Sequence, residues 1–479
     1  MVTKKFYIST SIAYTNTPPH YGFALELVQA DVIARYHRAL GEDVFFLTGT
    51  DEHGKKVLKA AEEKREKPKE FVNKISAKFK ALKKVLNLSN DDFIRTTDRK
   101  RHWPVVKKIW LKLKENGDIY KKKYRGLYCT GCEAFITKKD LKKGKCAIHQ
   151  KEPELVEEEN YFFRLSKYSK EIGKIIARDK IKIIPKSRKN EMLNFVKQGL
   201  EDISFSRPRK DLKWGIPVPN DNSQTIYVWA DALVNYISAI NYGSPEFKKY
   251  WPADIHCLGK DIQKFHTAIW PGMLLSLGLS LPKTIFVHGF ITVGGQKISK
   301  SLGNIIDPFE LVKKYGTDPV RYFLLREIPP TEDGDYTRQK FEARYNADLA
   351  SGLGNLVARV ITLARKLKIQ NSKVKITIKN SKLKTEINKT WQNYKKALDE
   401  FRFNEALKTI WGLIGFCDKL IEKTRPWENI EKKQSTIYNL QFAIKNIAEM
   451  LKPFLPETSE KIIKQLKTKK SKPLFPRLT

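Results

Sequence analysis

The sequence predicts an α/β protein in which a parallel sheet, split by an insertion, is followed by an all-α helix bundle. Three observations carry this. The opening segment alternates strand, loop, helix and strand; the alternation breaks near residue 116 and resumes near 221; and from 341 onward the apolar spacing is wholly helical.

Phe6 to Ile12 is an apolar run, Thr15 to Gly22 is rich in Asn and Pro, and Ala24 to Leu40 carries Leu25, Val28, Val32 and Tyr36 at intervals of three and four. Val44 to Leu47 is again apolar. That is a βαβ start, with the first strand buried on both faces. The stretch 116–220 holds three clustered cysteines, short apolar pieces and Pro/Gly punctuation, and reads as an insertion. Beyond it Ile226 to Trp229, Ile255 to Leu258 and Ile285 to Val287 read as strands, with helices over Ala232 to Ile240 and His266 to Leu277. Ile387, Trp391, Tyr394, Leu398 and Phe401 then repeat at helical spacing, as do the runs Leu407 to Ile421 and Ile437 to Leu451, which predicts an antiparallel bundle. The expected boundaries are 1–115 and 221–283 for the two halves of the sheet domain, 116–220 for the insertion, 284–340 for a connecting region and 341–479 for the bundle.

Lys plus Arg number 91 against 53 Asp plus Glu, a formal net charge of +38. Such a field favours a polyanionic partner such as RNA. Because lysine is scattered along the whole chain, a compositional bias on solvated faces accounts for the charge equally well. The amino terminus carries no secretory pattern and no apolar stretch approaches bilayer length, so a cytoplasmic protein with no membrane partner is expected.

The sharpest local signal is Cys129-x2-Cys132 with Cys146-x2-His149, a knuckle within 124–150. Three thiolates and one imidazole suit tetrahedral zinc, and a closed four-ligand set leaves no position for a reacting water. One structural Zn2+ is expected, rather than a catalytic one. Cys257 and Cys417 lie in apolar runs and read as small buried hydrophobes.

Thr17-Pro18-Pro19-His20-Tyr21-Gly22-Phe23 sits where the first strand hands over to the first helix, a place where backbone N–H groups and the helix dipole attract phosphate. Taken alone it also fits a Pro/Gly turn with an incidental histidine. Lys297-Ile298-Ser299-Lys300-Ser301 follows Gly294-Gly295-Gln296 and places two ammonium groups on a glycine-hinged loop, suited to charge building on a leaving pyrophosphate. Alone it also fits a solvated basic loop.

Together, His20-Tyr21-Gly22-Phe23 and Lys297-Ile298-Ser299-Lys300-Ser301 resemble the HIGH and KMSKS motifs of class I aminoacyl-tRNA synthetases. Val44-Phe45-Phe46-Leu47-Thr48-Gly49-Thr50-Asp51-Glu52-His53-Gly54, Tyr227-Val228-Trp229-Ala230-Asp231-Ala232-Leu233-Val234-Asn235-Tyr236 and Gly259-Lys260-Asp261-Ile262 with His266 and Trp270-Pro271 are similar to blocks of the methionyl-tRNA synthetases. The likeness runs from residue 5 to about 460. It implies a split Rossmann-type sheet with a zinc-binding connective insertion, a KMSKS-loop region at 284–340 and an anticodon-binding helix bundle. It further implies the bacterial type with a single knuckle, lacking a C-terminal dimerisation domain, hence a monomer. One departure stands out: Phe23 occupies the place of the second HIGH histidine and cannot donate to a phosphate.

By this resemblance His20, Gly22, Phe23, Lys297, Ser299 and Lys300 bind ATP, used as a substrate with Mg2+. His20, Lys297 and Lys300 would stabilise the charge that develops on the phosphates. Ile12, Tyr14, Trp229, Ala232, Tyr236 and His266 would line a methionine pocket, and Asp51 would anchor the substrate ammonium. Without the resemblance, Trp229 and Tyr236 also fit core aromatics and Asp51 a turn cap. Asn355, Arg359 and Trp427 match the positions that read the CAU anticodon of the methionine tRNA. The implied activity is ATP-dependent joining of L-methionine to that tRNA through methionyl-adenylate. The competing expectations are another class I synthetase and a catalytically weak or silent tRNA-binding paralogue.

Overall fold

The computed structural model describes residues 3–131, 134–136, 141–147, 150–298, 303–366, 381–428 and 430–478; of 134, 135, 297 and 430–433 it describes the backbone alone. These residues gather into two compact units, one formed by 1–19, 37–83 and 89–288 and the other by 20–36, 84–88 and 289–479.

The first unit is built on a seven-stranded sheet. Lys5–Thr10 lies at its centre, parallel to Asp43–Asp51 on one side and to Ile255–Gly259 on the other. Asp92–Arg95 and Ala13–Tyr14 both pair with Asp43–Asp51, and Thr284–His288 pairs with Ile255–Gly259. The edge strand is Lys182–Ile184, parallel to Thr284–His288, so part of the stretch read as an insertion returns to the main sheet. Every pairing in this sheet is parallel, and its central strands are buried almost throughout, with Phe6, Tyr7, Ile8, Ile255 and Leu258 joined by the buried polar residues Ser9, Thr10 and His256. Tyr7, Leu47, Leu258, Ile285 and Val287 are in its core. Close approach is enforced at Gly49, where an added Cβ would sit 2.1 Å from the carbonyl oxygen of Ile94 on the neighbouring strand.

The 119–163 part of the insertion is a long antiparallel ribbon, Ile119–Cys129 against Glu154–Phe163. Lys121, Lys122, Lys123 and Arg125 lie opposite Tyr161, Asn160, Glu159 and Glu157, so the ribbon's charged strands face each other with opposite signs over part of its length.

One reading needs correction. Ile226 to Trp229 is not a strand: the strand is Asp221–Ile226, Tyr227 caps a short helix, and Val228–Ala232 is helical. A four-residue apolar run lacks the length to separate a strand from a buried helical turn. The helix expected over Ala232 to Ile240 is likewise two short pieces, Val228–Ala232 and Asn235–Ser238, and the helix expected from His266 begins as a π-turn over Phe265–Ile269 before Trp270–Ser276.

The second unit contains the helix Tyr21–Ala39 as far as Tyr36, a small sheet and the bundle. The sheet joins Ile291–Val293 to Gln296–Lys297 and Gly334–Tyr336. Bundle helices span Ser381–Asp399, Phe403–Thr424, Ile430–Leu451 and Pro456–Thr468, with Leu407, Ile410, Ile414 and Cys417 buried along one stripe, as their spacing predicts. Arg321 is fully buried there. Its guanidinium pairs with Asp31 at 2.8 Å and donates to the carbonyls of Leu86, Pro453 and Phe454. Planar, permanently charged and five times a donor, Arg is the side chain that can satisfy a carboxylate and three carbonyls at once. Replacing Arg321 with Leu strands those acceptors, although Asp31 keeps its 2.8 Å bond to Arg35. Urea denaturation should register a loss of about 3 kcal/mol; a loss under about 1 kcal/mol would contradict this account of the bond set.

Candidate active site

The candidate methionine-pocket residues come from the carboxyl ends of the parallel strands, where open α/β sheets present their ligands. Ile12 follows the central strand. Tyr14 pairs in register with Asp51, the last residue of the adjacent strand, and Asp51 is buried. The Asp51 carbonyl accepts from both the N–H and the hydroxyl of Thr15, which fixes the turn that carries Tyr14.

Trp229, Ala232 and Tyr236 come from the two short helices that replace the expected strand. Trp229 stacks on Phe265 with ring centroids 3.8 Å apart and stands nearly perpendicular to His266. Tyr236 and His266 are joined by a 2.7 Å bond from the hydroxyl to Nε2. His266 Nδ1 lies 3.1 Å from the Ile262 carbonyl, which only accepts, so Nδ1 carries the proton. Burial pushes the His266 pKa down to about 4, which leaves the ring neutral at pH 7. Nε2 is then an acceptor, and Tyr236 must donate to it. Tyr236 is held from behind as well, since Tyr7 donates to its carbonyl at 2.7 Å. The result is an aromatic, uncharged wall, the kind of surface that reads the shape and polarisability of an unbranched thioether.

His20 caps the helix Tyr21–Ala39: its carbonyl accepts from Phe23 and Ala24. Its Nδ1 accepts the N–H of Gly22 at 3.1 Å, so the proton of the neutral ring sits on Nε2. The imidazole lies across Gly22, where an added Cβ would be 3.0 Å from its Cε1, so a side chain at this position would have to displace the ring. The Tyr21 N–H donates to the carbonyl of Ile306, five residues beyond Ser301, tying the His20 turn to the segment that follows the lysine loop. Lys297 pairs with Thr292 through a Gly294-Gly295 turn with both glycines at positive φ. Ser299 and Lys300 lie outside the described residues.

Cys129 and Cys146 are both buried and meet in one small cluster with Ile136. A tight turn through Lys143 and Gly144, both at positive φ, delivers Cys146, and the N–H of Gln150 returns to the Cys146 carbonyl at 2.8 Å. Cys132 and His149 lie outside the described residues. Two thiols converging away from solvent have the donor chemistry that zinc takes, although among the described residues no group of three or more His, Cys, Asp or Glu is placed to hold a metal ion.

Comparison with known proteins matches this layout. A family profile described as tRNA synthetases class I (M) covers residues 6–142 and 136–361, and one described as anticodon-binding domain of tRNA ligase covers 380–476. The methionine–tRNA ligase of Thermotoga maritima is 45% identical over 96% of this chain and 75% of its own length. That of Brucella suis is 39% identical over 97% of this chain and 92% of its own. The structure of Mycobacterium tuberculosis methionyl-tRNA synthetase in complex with methionyl-adenylate superposes with a TM-score of 0.91 at 34% identity, covering 99% of this chain and all of that one.

The chain belongs to the class I methionyl-tRNA synthetases.

Within that family's architecture, Asn355 and Arg359 lie at the start of the helix Asn355–Lys366 and Trp427 in the turn after Phe403–Thr424. Trp427 is 50% exposed, unusual for so large an apolar ring, and Asn355 is also exposed. Arg359 is held by Asp418 at 3.3 Å. No helix among the described residues is long and apolar enough to cross a membrane.

Two groups of site-supporting residues escaped the sequence reading. Asp335 accepts from the Thr292 hydroxyl and the Gly295 N–H, both at 2.8 Å, and so anchors the hairpin that carries Lys297. Asp231, His53 and His102 form a buried cluster adjoining the candidate methionine-pocket residues. His53 and Asp231 were visible inside the family-like blocks, but nothing local announces that they touch.

The neutral state of His266 has a measurable consequence. An unfolded histidine takes up its proton near 6.5, whereas folded His266 resists until about 4, so between these values the unfolded chain binds more protons and stability falls as the pH drops. The histidine contributes about 3 kcal/mol of destabilisation by the bottom of that window. His266→Gln should therefore lose stability less steeply from pH 6.5 to 4 than the parent in denaturant titrations; equal slopes would show that the ring is not held neutral.

Proposed function

We propose that this chain, a methionine–tRNA ligase, uses ATP to activate methionine and then charges tRNA, with its residues sharing the work as follows. The carboxylate oxygen of methionine attacks the α-phosphorus of ATP in line, forming methionyl-adenylate as the bond to pyrophosphate breaks. A ribose hydroxyl of the terminal adenosine, the 2′-OH by analogy with class I enzymes, then attacks the carbonyl carbon and expels AMP. Positioning and electrostatics carry both steps. No general base is assigned.

Asp51 holds the substrate ammonium, a charge-assisted contact that fixes orientation. Ile12, Tyr14, Trp229, Ala232, Tyr236 and His266 surround the side chain. His20 donates from Nε2 to an ATP phosphate, Gly22 gives its imidazole room, and Lys297, Ser299 and Lys300 bind the β- and γ-phosphates together with the substrate's Mg2+. Phe23 supplies no donor at the second motif position, so more of the charge falls to His20 and the lysines. The observation that carries the reading is the register that sets Tyr14 beside a buried Asp51 at the carboxyl end of the sheet. An acid for the ammonium lies next to an aromatic surface for the thioether.

Asn355, Arg359 and Trp427 read the CAU anticodon, and the exposure of Trp427 supports this because an unpaired base needs an open ring to stack on. Cys129, Cys132, Cys146 and His149 hold one structural zinc, whose bonds supply cross-links that the small 124–150 segment cannot obtain from an apolar core. Residues 1–115 and 221–283 form the catalytic halves, 116–220 the connective insertion, 284–340 the lysine-loop region and 341–479 the anticodon-binding domain of a cytoplasmic enzyme, with Lys182–Ile184 and Thr284–His288 lent to the catalytic sheet by the adjoining segments.

Purified protein should catalyse ATP–pyrophosphate exchange with methionine and not with leucine, isoleucine, valine or cysteine; exchange with another amino acid, or none with methionine, would refute the activity. Trp427→Ala should leave that exchange intact while lowering kcat/KM for tRNA charging by about tenfold to a hundredfold, the value of one lost base stack; parallel losses in both assays would remove Trp427 from tRNA reading. Metal analysis should find about one zinc per chain, lost in Cys129→Ala; a metal-free parent that folds and charges normally would exclude the knuckle.

A further inference from the structure

Behind the methionine pocket one carboxylate is shared by two imidazoles. Asp231 Oδ2 lies 2.6 Å from His53 Nδ1, and Oδ1 lies 2.7 Å from His102 Nε2, with all three side chains almost fully buried. A lone buried carboxylate is costly, and here each oxygen receives a ring N–H. Although burial works to raise its pKa, His53 first and then His102 hold Asp231 below its ordinary value, so it stays ionised.

What the cluster joins is informative. His53 is two residues beyond Asp51, and its ring is wedged edge-on between Trp103 and Trp214. Trp214 in turn donates from its indole to the Glu52 carbonyl at 2.6 Å, so the backbone from Asp51 to His53 is clamped. Asp231 sits between Trp229 and Ala232 on their short helix. His102, at the start of His102–Glu115, meets the Ser238 hydroxyl through Nδ1 at 2.7 Å, two residues beyond Tyr236. The three segments that carry the ammonium anchor, Trp229 with Ala232, and Tyr236 are therefore all fastened to one group.

We infer that Asp231, with His53 and His102, is the positioning device that sets the spacing between the Asp51 carboxylate and the aromatic wall, and thereby the length of side chain the enzyme accepts. None of the three touches the substrate in this scheme. They act through Asp51, Trp229 and Tyr236, so the inference rests on the pocket assigned above.

A fixed gap between an ammonium anchor and a wall works as a ruler. Methionine fills the gap, and its S-ethyl homologue ethionine, one methylene longer, is accepted less well. Asp231→Asn keeps the shape but turns one acceptor oxygen into an NH2 facing an imidazole N–H, which loosens the clamp. In ATP–pyrophosphate exchange with the full-length variant, KM for methionine should rise about tenfold, the scale expected of a sub-ångström misplacement. KM for ATP should stay within about twofold, and the preference for methionine over ethionine in kcat/KM should fall at least about fivefold. A merely structural defect lowers kcat for both amino acids alike and leaves the ratio untouched.

His102→Gln, whose amide can still donate to Asp231, should behave nearly as the parent, and His102→Leu should behave as Asp231→Asn. Ser238→Ala supplies a milder version should Asp231→Asn not fold. Unchanged methionine KM and unchanged selectivity in Asp231→Asn and His102→Leu, or in His102→Leu and Ser238→Ala if the first does not fold, would overturn the inference. Trp229→Ala separates this from failure of the pocket itself: if that change leaves methionine KM unaltered the pocket assignment falls, and if it raises KM while the cluster variants do not, the positioning role alone falls.

Discussion

The parallel pairing of Lys5–Thr10 with its two neighbours is the constraint from which the candidate methionine pocket follows. Register places Ile8 beside Phe46 and Ile255 and brings all three strands to their carboxyl ends at one edge. Tyr14 and Asp51 meet only because Ala13–Tyr14 continues that pairing at the end of the second strand. A slip of one residue would turn every side chain to the opposite face and part Tyr14 from Asp51. Gly49 guards the register on the far side, since the carbonyl of Ile94 occupies the space a side chain would need.

Because the sheet is covered on both faces, polar groups brought to its edge are buried and must be paired, and the pairings decide what chemistry remains available. Glu52 is fully enclosed, yet it meets Arg95 through both oxygens and accepts from Thr50 as well as Thr97. With Glu52 committed in this way, the neighbouring Asp51 is the acidic group that the register places beside Tyr14. Adjacent carboxylates thus stand in different surroundings, one closed in a side-chain network and the other at the strand end beside Tyr14.

Periodicity made the βαβ opening and the bundle stripes legible, because those signals are local and repeat every two or about four residues. Of the four knuckle positions, Cys129 and Cys146 meet in one buried cluster, while Cys132 and His149 lie outside the described residues. The segment 226–240 was misread as strand then helix, since its apolar runs are too short for a period to emerge. What no local pattern could disclose is pairing across long separations. His53 and Asp231 are 178 residues apart, and Thr292 and Asp335 are 43 apart, so each contact exists only after the topology has formed. Lys182–Ile184 illustrates the same limit, as a three-residue strand has no pattern of its own and is defined by the sheet edge that accepts it.

The uncharged character of the aromatic wall follows from this burial rather than from composition. The chain carries a formal charge of +38, yet Trp229, Tyr236 and His266 meet without a net charge, because enclosure costs an imidazolium far more than a neutral ring. The proton on His266 Nδ1 is spoken for by a carbonyl, so the Tyr236 hydroxyl has one direction in which to point. That chain of forced donors gives the wall a single hydrogen-bonding state at neutral pH. A cation there would attract water and polar side chains, whereas a thioether competes best where neither is welcome. In the proposed pocket, selectivity for an unbranched apolar chain is then a matter of shape and spacing. Shape discriminates one methylene by only about 1–3 kcal/mol, so the rigidity of the spacing matters as much as the identity of the rings.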